Sequence, residues 1–135
     1  MITATARKTE WRLILKKLKA AQRTGNKRLM NSQCEVTIFR DGKVDFVTAG
    51  ISVSLHCATT GTVRFICKYE YLSDLIESVK SREITISVKD EEVTVGLITF
   101  ITSVTYFKDD SVLRTIKLPI DYNDAWLIRL LSEGY

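Results

Sequence analysis

The sequence has one proline, one histidine and three cysteines among its 135 residues. So little proline, with only six glycines, is not typical of a disordered protein. Cys34, Cys57 and Cys67 are odd in number and lack CxxC spacing, which favours small buried side chains over a disulfide framework or a zinc site. No apolar run approaches the roughly 20 residues of a membrane helix, and charge from Arg7 onward leaves no signal-peptide core. We therefore expect a cytoplasmic protein without a membrane partner.

Features of an enzyme are equally scarce. His56 alternates with Ser52 and Ser54 on a predicted strand, so it points away from Cys57 and does not pair with that thiol as a catalytic base. The acidic groups at 90–92 and 109–110 fall at predicted hairpin tips, where solvated charge is simpler than a metal site. The sequence contains neither a GxGxxG nor a GxxxxGKS phosphate loop. We expect no enzymatic activity, no cofactor and no metal.

What the chain does have is positive charge concentrated at one end. Residues 1–28 carry nine Lys or Arg residues and a single acid, Glu10, which makes this segment +8, whereas the remainder is −4. Charge separated in this way creates a local positive field even though the whole chain is only +4. The asymmetry predicts an anionic partner for one face of the molecule.

Hydrophobic periodicity predicts strands and helices in alternation. An extended stretch over 2–7 precedes a helix that begins at a Thr9 cap. Period-two segments then predict a hairpin turning at Asp41-Gly42, a strand over 51–57, a strand over 63–67, a hairpin with its tip at 89–92, and a further hairpin over 97–120 that turns at 109–110. A second helix lies between the strand over 63–67 and the next hairpin, and a third starts at about Asp121. The apolar stripes of the first two helices are Trp11, Ile14, Leu15 and Leu18, and Leu72, Leu75, Ile76 and Val79.

The two halves of this pattern repeat each other. A shift of 61 residues superposes the first strand and helix on the second, and a shift of 50 places Val36 on Ile86 and Ile38 on Val88. Each unit is therefore strand, helix and three antiparallel strands. The prediction is a single α+β domain over 1–135, with pseudo-repeats at 1–58 and 62–107 and a C-terminal strand and helix at 112–135.

Two tandem β-α-β-β-β units resemble one domain of the DNA polymerase sliding-clamp, or processivity-factor, family. The second unit, "FICKYEYLSDLIESVKSREITISVKDEEVTVG", carries the strongest likeness: a strand, an aromatic- and Leu-containing helix ending in Lys, and a hairpin of alternating Val and Ile. The resemblance implies a non-enzymatic homo-oligomer that encircles double-stranded DNA during DNA replication. It also implies that the two helices present Lys and Arg to DNA phosphates.

The first helix fits that expectation and the second does not. Lys8, Arg12, Lys16, Lys19 and Arg23 fall within about 80° of each other on a helix, and such a row can follow a phosphate backbone without reading bases. The predicted DNA-binding residues are Arg7, Lys8, Arg12, Lys16, Lys17, Lys19, Arg23, Lys27 and Arg28. A solvated helix face and an anionic membrane surface remain the alternatives. The exposed side of the second helix is neutral to acidic, since it includes Asp74 and Glu77.

The C-terminal helix is apolar nearly all round. Four of its residues, Trp126, Leu127, Leu130 and Leu131, are predicted to form an interface with another copy or with a protein client. Packing into the domain's own core is the alternative. The rival function is accordingly a protein-interaction or oligomerisation module that has the clamp fold without DNA binding.

Overall fold

The computed structural model describes residues 1–21, 33–48, 50–108 and 111–116. They form eleven strands and two helices. In chain order these are β1 (Ile2–Arg7), α1 (Lys8–Ala21), β2 (Gln33–Phe39), β3 (Lys43–Thr48), β4 (Ile51–His56), β5 (Ala58–Thr59), β6 (Val63–Lys68), α2 (Tyr69–Ser78), β7 (Glu83–Lys89), β8 (Glu92–Val95), β9 (Ile98–Ile101), β10 (Val104–Lys108) and β11 (Ser111–Ile116). Neither described helix is long and apolar enough to cross a membrane.

The strands form two sheets, and every pairing is antiparallel. Sheet A has the order β5-β1-β7-β8-β9, and sheet B has the order β11-β10-β6-β2-β3-β4. The first strand of each unit lies beside the hairpin of the other unit, because β1 pairs with β7 and β6 pairs with β2. This exchange of equivalent strands gives the fold its pseudo-two-fold arrangement and confirms the predicted α+β class.

The register repeats as faithfully as the order of the elements. Ala4 lies opposite Ile86 in sheet A, and Phe65 lies opposite Val36 in sheet B. The shift of 61 places Ala4 on Phe65, and the shift of 50 places Val36 on Ile86, so the two cross-strand pairs occupy equivalent positions. All four are fully buried, so each pair contributes to the core at the same place in its own sheet.

One hydrophobic core joins both sheets and both helices. Trp11 of α1 lies at its centre with 1% of its surface exposed. Its indole Nε1 donates a hydrogen bond to the carbonyl of Ile84 in sheet A at 3.1 Å. Its ring meets that of Phe46 in sheet B edge-on, with centroids 6.1 Å apart. Trp11 therefore satisfies its polar atom while it packs between the two sheets.

The two helices lie side by side and run in opposite directions. The hydroxyl of Tyr69, at the start of α2, donates to the carbonyl of Leu15 at 2.8 Å, whereas the start of α1 contacts the end of α2. Helix α1 begins at Lys8, so the predicted cap at Thr9 was wrong. The side chain of Glu10 instead accepts a long, 3.4 Å hydrogen bond from the backbone N–H of Arg7.

The predicted hairpin over 97–120 was also wrong in part. Its first strand is two strands in different sheets, β9 in sheet A and β10 in sheet B, and only β10 and β11 form a hairpin. The chain changes sheets at Thr102. Its backbone N–H donates to the carbonyl of Glu91 at 3.0 Å, and its hydroxyl donates to the carbonyl of Ile66 at 2.6 Å. The predicted helix from Asp121 lies outside the described residues.

Candidate nucleic-acid interface

Helix α1 separates an apolar face from a basic one. It buries Trp11, Ile14, Leu15 and Leu18, each no more than 5% exposed. The predicted residues Arg12, Lys16, Lys17 and Lys19 are exposed. Among the described residues, the ammonium groups of Lys16, Lys17 and Lys19 have no ion-pair partner. Within the described part of the chain, nothing therefore neutralises these three lysines, and they can attract an external anion.

Lys8 has a different environment from the other cations of the row. Its Nζ donates to the carbonyl oxygens of Val79 at 2.6 Å and Glu77 at 3.1 Å, and its side chain is only partly exposed. Both carbonyls lie at the C-terminal end of α2, where unpaired acceptors and the helix dipole favour a cation. Lys8 therefore attaches the start of α1 to the end of α2 and has less freedom to reach a ligand.

Arg12 is the second member of the row with an internal partner. Its Nε lies 2.8 Å from Oε1 of Glu77, and the two side chains are 44% and 52% exposed. An exposed pair of this kind contributes at most about 1 kcal/mol, so a stronger anion can displace the carboxylate. Glu77 belongs to an acidic face of α2 that also includes the exposed Glu70 and Asp74. The basic face of α1 thus lies next to negative charge within the same domain.

The start of α1 also borders a basic cleft of about 680 Å³. Five cations line it, and they come from two distant parts of the chain. Backbone pairing brings these parts together, since Arg7 lies opposite Glu83 in the β1–β7 register and the N–H of Lys8 donates to the carbonyl of Arg82 at 2.7 Å. The lining side chains that carry charge are Arg7, Lys8, Arg12, Lys80, Arg82 and Glu83.

Arg7, Lys8 and Arg12 belong to the predicted site, whereas no role was predicted for Lys80 or Arg82. The only signal for these two residues was their position after the second helix. Their proximity to Arg7 depends on the pairing of β1 with β7, which hydrophobic periodicity does not reveal. Seven further predicted residues lie outside the described part of the chain: Arg23, Lys27, Arg28, Trp126, Leu127, Leu130 and Leu131.

Burial favours the neutral forms of the three thiols and of Tyr69. Cys34 and Cys67 face each other across β2 and β6, and burial raises the pKa of each thiol to about 12. Burial also raises the pKa of Cys57 and that of Tyr69. His56 is exposed on β4. No three His, Cys, Asp or Glu side chains of the described residues gather into a group that could hold a metal ion.

No protein-family model matches this chain, and no curated protein matches it either. Solved structures with a similar fold do exist. One is a DnaN sliding clamp, DNA polymerase III subunit beta, from Bartonella birtlesii bound to griselimycin. It matches with a TM-score of 0.56 and 14% sequence identity, and the match covers 90% of this chain and 33% of the clamp. Another is the DNA polymerase III beta subunit of Thermotoga maritima. It matches with a TM-score of 0.56 and 13% sequence identity, and the match covers 89% of this chain and 34% of that subunit.

The chain therefore spans about a third of the length of these clamp subunits. The shared features are the two antiparallel sheets and the two helices, with little sequence in common. The protein has the fold of a single sliding-clamp domain.

Proposed function

We propose that this domain is a non-enzymatic, sequence-independent DNA-associated module of the sliding-clamp kind, and that the basic face of α1 contacts phosphates of double-stranded DNA. In this proposal the domain acts in the cytoplasm during DNA replication, as a homo-oligomer with a protein client. The observation that supports it most directly is the set of three exposed lysines, Lys16, Lys17 and Lys19, without an ion-pair partner among the described residues.

The chemistry of these lysines suits a contact that slides. A lysine ammonium is a hydrated point charge on a flexible stem, so it can exchange one phosphate for the next without a fixed geometry. Phosphate contacts hold the protein on the duplex and carry no sequence information directly. The apolar face of α1 is buried, and its Trp11 contacts both sheets, while its basic face remains in solvent.

The acidic face of α2 opposes this attraction. Glu77 competes with phosphate for Arg12, and Glu70 and Asp74 repel a duplex that lies across both helices. Binding by one isolated domain is therefore expected to be weak and strongly dependent on salt. Several linked copies on one duplex would bind more tightly than one copy, because each copy adds the same phosphate contacts.

The test is a double charge reversal, Lys16→Glu with Lys19→Glu. Affinity for several unrelated duplexes should fall by a similar factor on each, and the slope of log affinity against log salt should decrease by about two. Fluorescence anisotropy of labelled duplexes measures both quantities. Arg40→Glu with Lys89→Glu is the matched control, because both residues are exposed at hairpin turns rather than on α1. Wild-type protein that is not retained on DNA at low salt would refute the proposal.

A second candidate function is a protein-interaction or oligomerisation module without DNA binding. It is favoured by the exposed apolar residues Leu97, Ile98 and Ile101 on and beside β9, which is the last strand of sheet A. A strand at the edge of a sheet offers unpaired backbone groups to another chain. The two functions are compatible, since a copy-to-copy contact through β9 leaves α1 free.

A further inference from the structure

The basic cleft beside the start of α1 is built from both repeat units. Arg7 ends β1 of the first unit, whereas Lys80 and Arg82 lie in the segment that joins α2 to β7 in the second. A 2.7 Å hydrogen bond from the N–H of Lys8 to the carbonyl of Arg82 fixes one wall to the other. The side chain of Lys8 adds two bonds to the end of α2. The cleft is therefore held open by the fold itself.

Positive charge in this cleft exceeds the negative charge that faces it. Arg7, Lys80 and Arg82 are exposed and have no ion-pair partner among the described residues. The nearby acids are Glu83, which lines the cleft, and Glu77, which pairs with Arg12. Neighbouring like charges raise the free energy of the unliganded site, and an anion between them lowers it.

Shape and donor type indicate the class of anion. Arginine offers several N–H donors in a planar fork that matches phosphate oxygens, and three arginines, Arg7, Arg12 and Arg82, line this cleft. The hydroxyls of Thr9 and Ser81, which also line the cleft, add neutral donors. The cleft has a volume of about 680 Å³, which accommodates more than one phosphate group. Because the cleft opens to solvent, a chain of linked phosphates can enter it.

We propose that this cleft binds adjacent phosphates of a nucleic-acid backbone, as a second anion site beyond the exposed lysines of α1. The identity of the polyanion rests on the proposed function, whereas the affinity of the cleft for phosphate does not. Arg12 links the two sites, because it lines the cleft and also a neighbouring hollow of about 200 Å³ together with Lys16. One backbone can therefore pass from the cleft to Lys16 by way of Arg12.

The test uses the full chain and the variant Lys80→Gln with Arg82→Gln. Sodium tripolyphosphate is titrated into ¹⁵N-labelled protein, and duplex DNA binding is followed by fluorescence anisotropy at several salt concentrations. In the wild type, tripolyphosphate should shift the backbone amide resonances of residues 80–83. The variant should lose these shifts, bind every duplex more weakly, and show a salt slope smaller by about two. Arg40→Gln with Lys89→Gln removes the same charge elsewhere and should change neither result.

The charge reversals at Lys16 and Lys19 separate the two sites. They should weaken DNA binding while the response of the cleft to tripolyphosphate persists. If the wild type shows no shifts at 80–83 and the cleft variant binds DNA as the wild type does, the cleft proposal fails, whereas the proposed function of α1 still stands. If tripolyphosphate binds but the cleft variant retains full DNA affinity, the backbone assignment is overturned and the ligand is a free oligophosphate.

Discussion

Lys8 shows how one side chain of a basic row can have a structural role that its neighbours lack. Its Nζ donates to two carbonyls at the end of α2, one of them at 2.6 Å. The helical position of Lys8 predicts the same solvent exposure as that of Arg12 and Lys16, which lie four and eight residues further along the same face. The contact with α2 depends on how closely the two helices approach, and sequence periodicity does not report that distance.

We predict that Lys8→Met lowers the free energy of unfolding by about 1 kcal/mol, because charged donors at the end of a helix are lost while the aliphatic stem is kept. Lys16→Met, on the exposed part of the same helix, should change stability by no more than about 0.5 kcal/mol. Urea unfolding followed by circular dichroism measures both values. Equal stability of the two variants would contradict the structural role of Lys8.

The two helices differ in charge although they occupy equivalent positions in the repeat. Helix α1 exposes Lys16, Lys17 and Lys19, and α2 exposes Glu70, Asp74 and Glu77. Tyr69 and Arg12 hold the two helices together through contacts with Leu15 and Glu77. Any polyanion that lies on α1 is therefore within the field of the acids on α2, which lowers its affinity.

Making α2 basic should accordingly strengthen DNA binding. We predict that Asp74→Lys with Glu77→Lys increases affinity for duplex DNA at low salt and steepens the salt slope, because two repulsive charges become two phosphate contacts. Asp41→Lys with Glu92→Lys is the matched control, since both acids are exposed on hairpins rather than on the helices. An unchanged affinity after reversal of Asp74 and Glu77 would mean that α2 does not face the duplex that α1 binds.

The elements also show what sequence could and could not predict. Alternation of apolar residues predicted the strands, and the shifts of 61 and 50 made Ala4 equivalent to Phe65 and Val36 equivalent to Ile86. The structure agrees with this equivalence, because Ala4 lies opposite Ile86 in one sheet and Phe65 lies opposite Val36 in the other. The change of sheet at Thr102, between β9 and β10, was not predicted. The alternation of apolar and polar residues continues when a chain passes from one sheet to another, so it carries no signal for the change. The two-residue strand β5 was too short to produce a pattern. Lys80 and Arg82 were left out of the site for a related reason, since their neighbours come from long-range strand pairing.

At the scale of the whole molecule, the exchange of first strands leaves equivalent ends on the two sheets. The last strand of each unit, β4 in sheet B and β9 in sheet A, has a pairing strand on only one side among the described strands. Leu97 is fully exposed beside β9, and Ile101 on β9 is 57% exposed. Such an edge can bind another copy of the chain, and the predicted interface at Trp126 and Leu130 offers a second route to the same outcome.

The two routes to an oligomer give different results in solution, and sedimentation velocity can separate them. Leu97→Lys with Ile101→Lys should lower the mass of any oligomer built through β9 while the monomer stays folded, because both side chains are exposed. Trp126→Glu with Leu130→Glu should also lower the mass if the C-terminal helix is an interface, but should unfold the monomer if that helix packs into the core. Thr94→Lys with Ser87→Lys, on the outer face of sheet A, is a control for added charge. A wild-type protein that is monomeric at all concentrations, and variants that remain folded monomers, would exclude both interfaces and leave any DNA contact to a single domain.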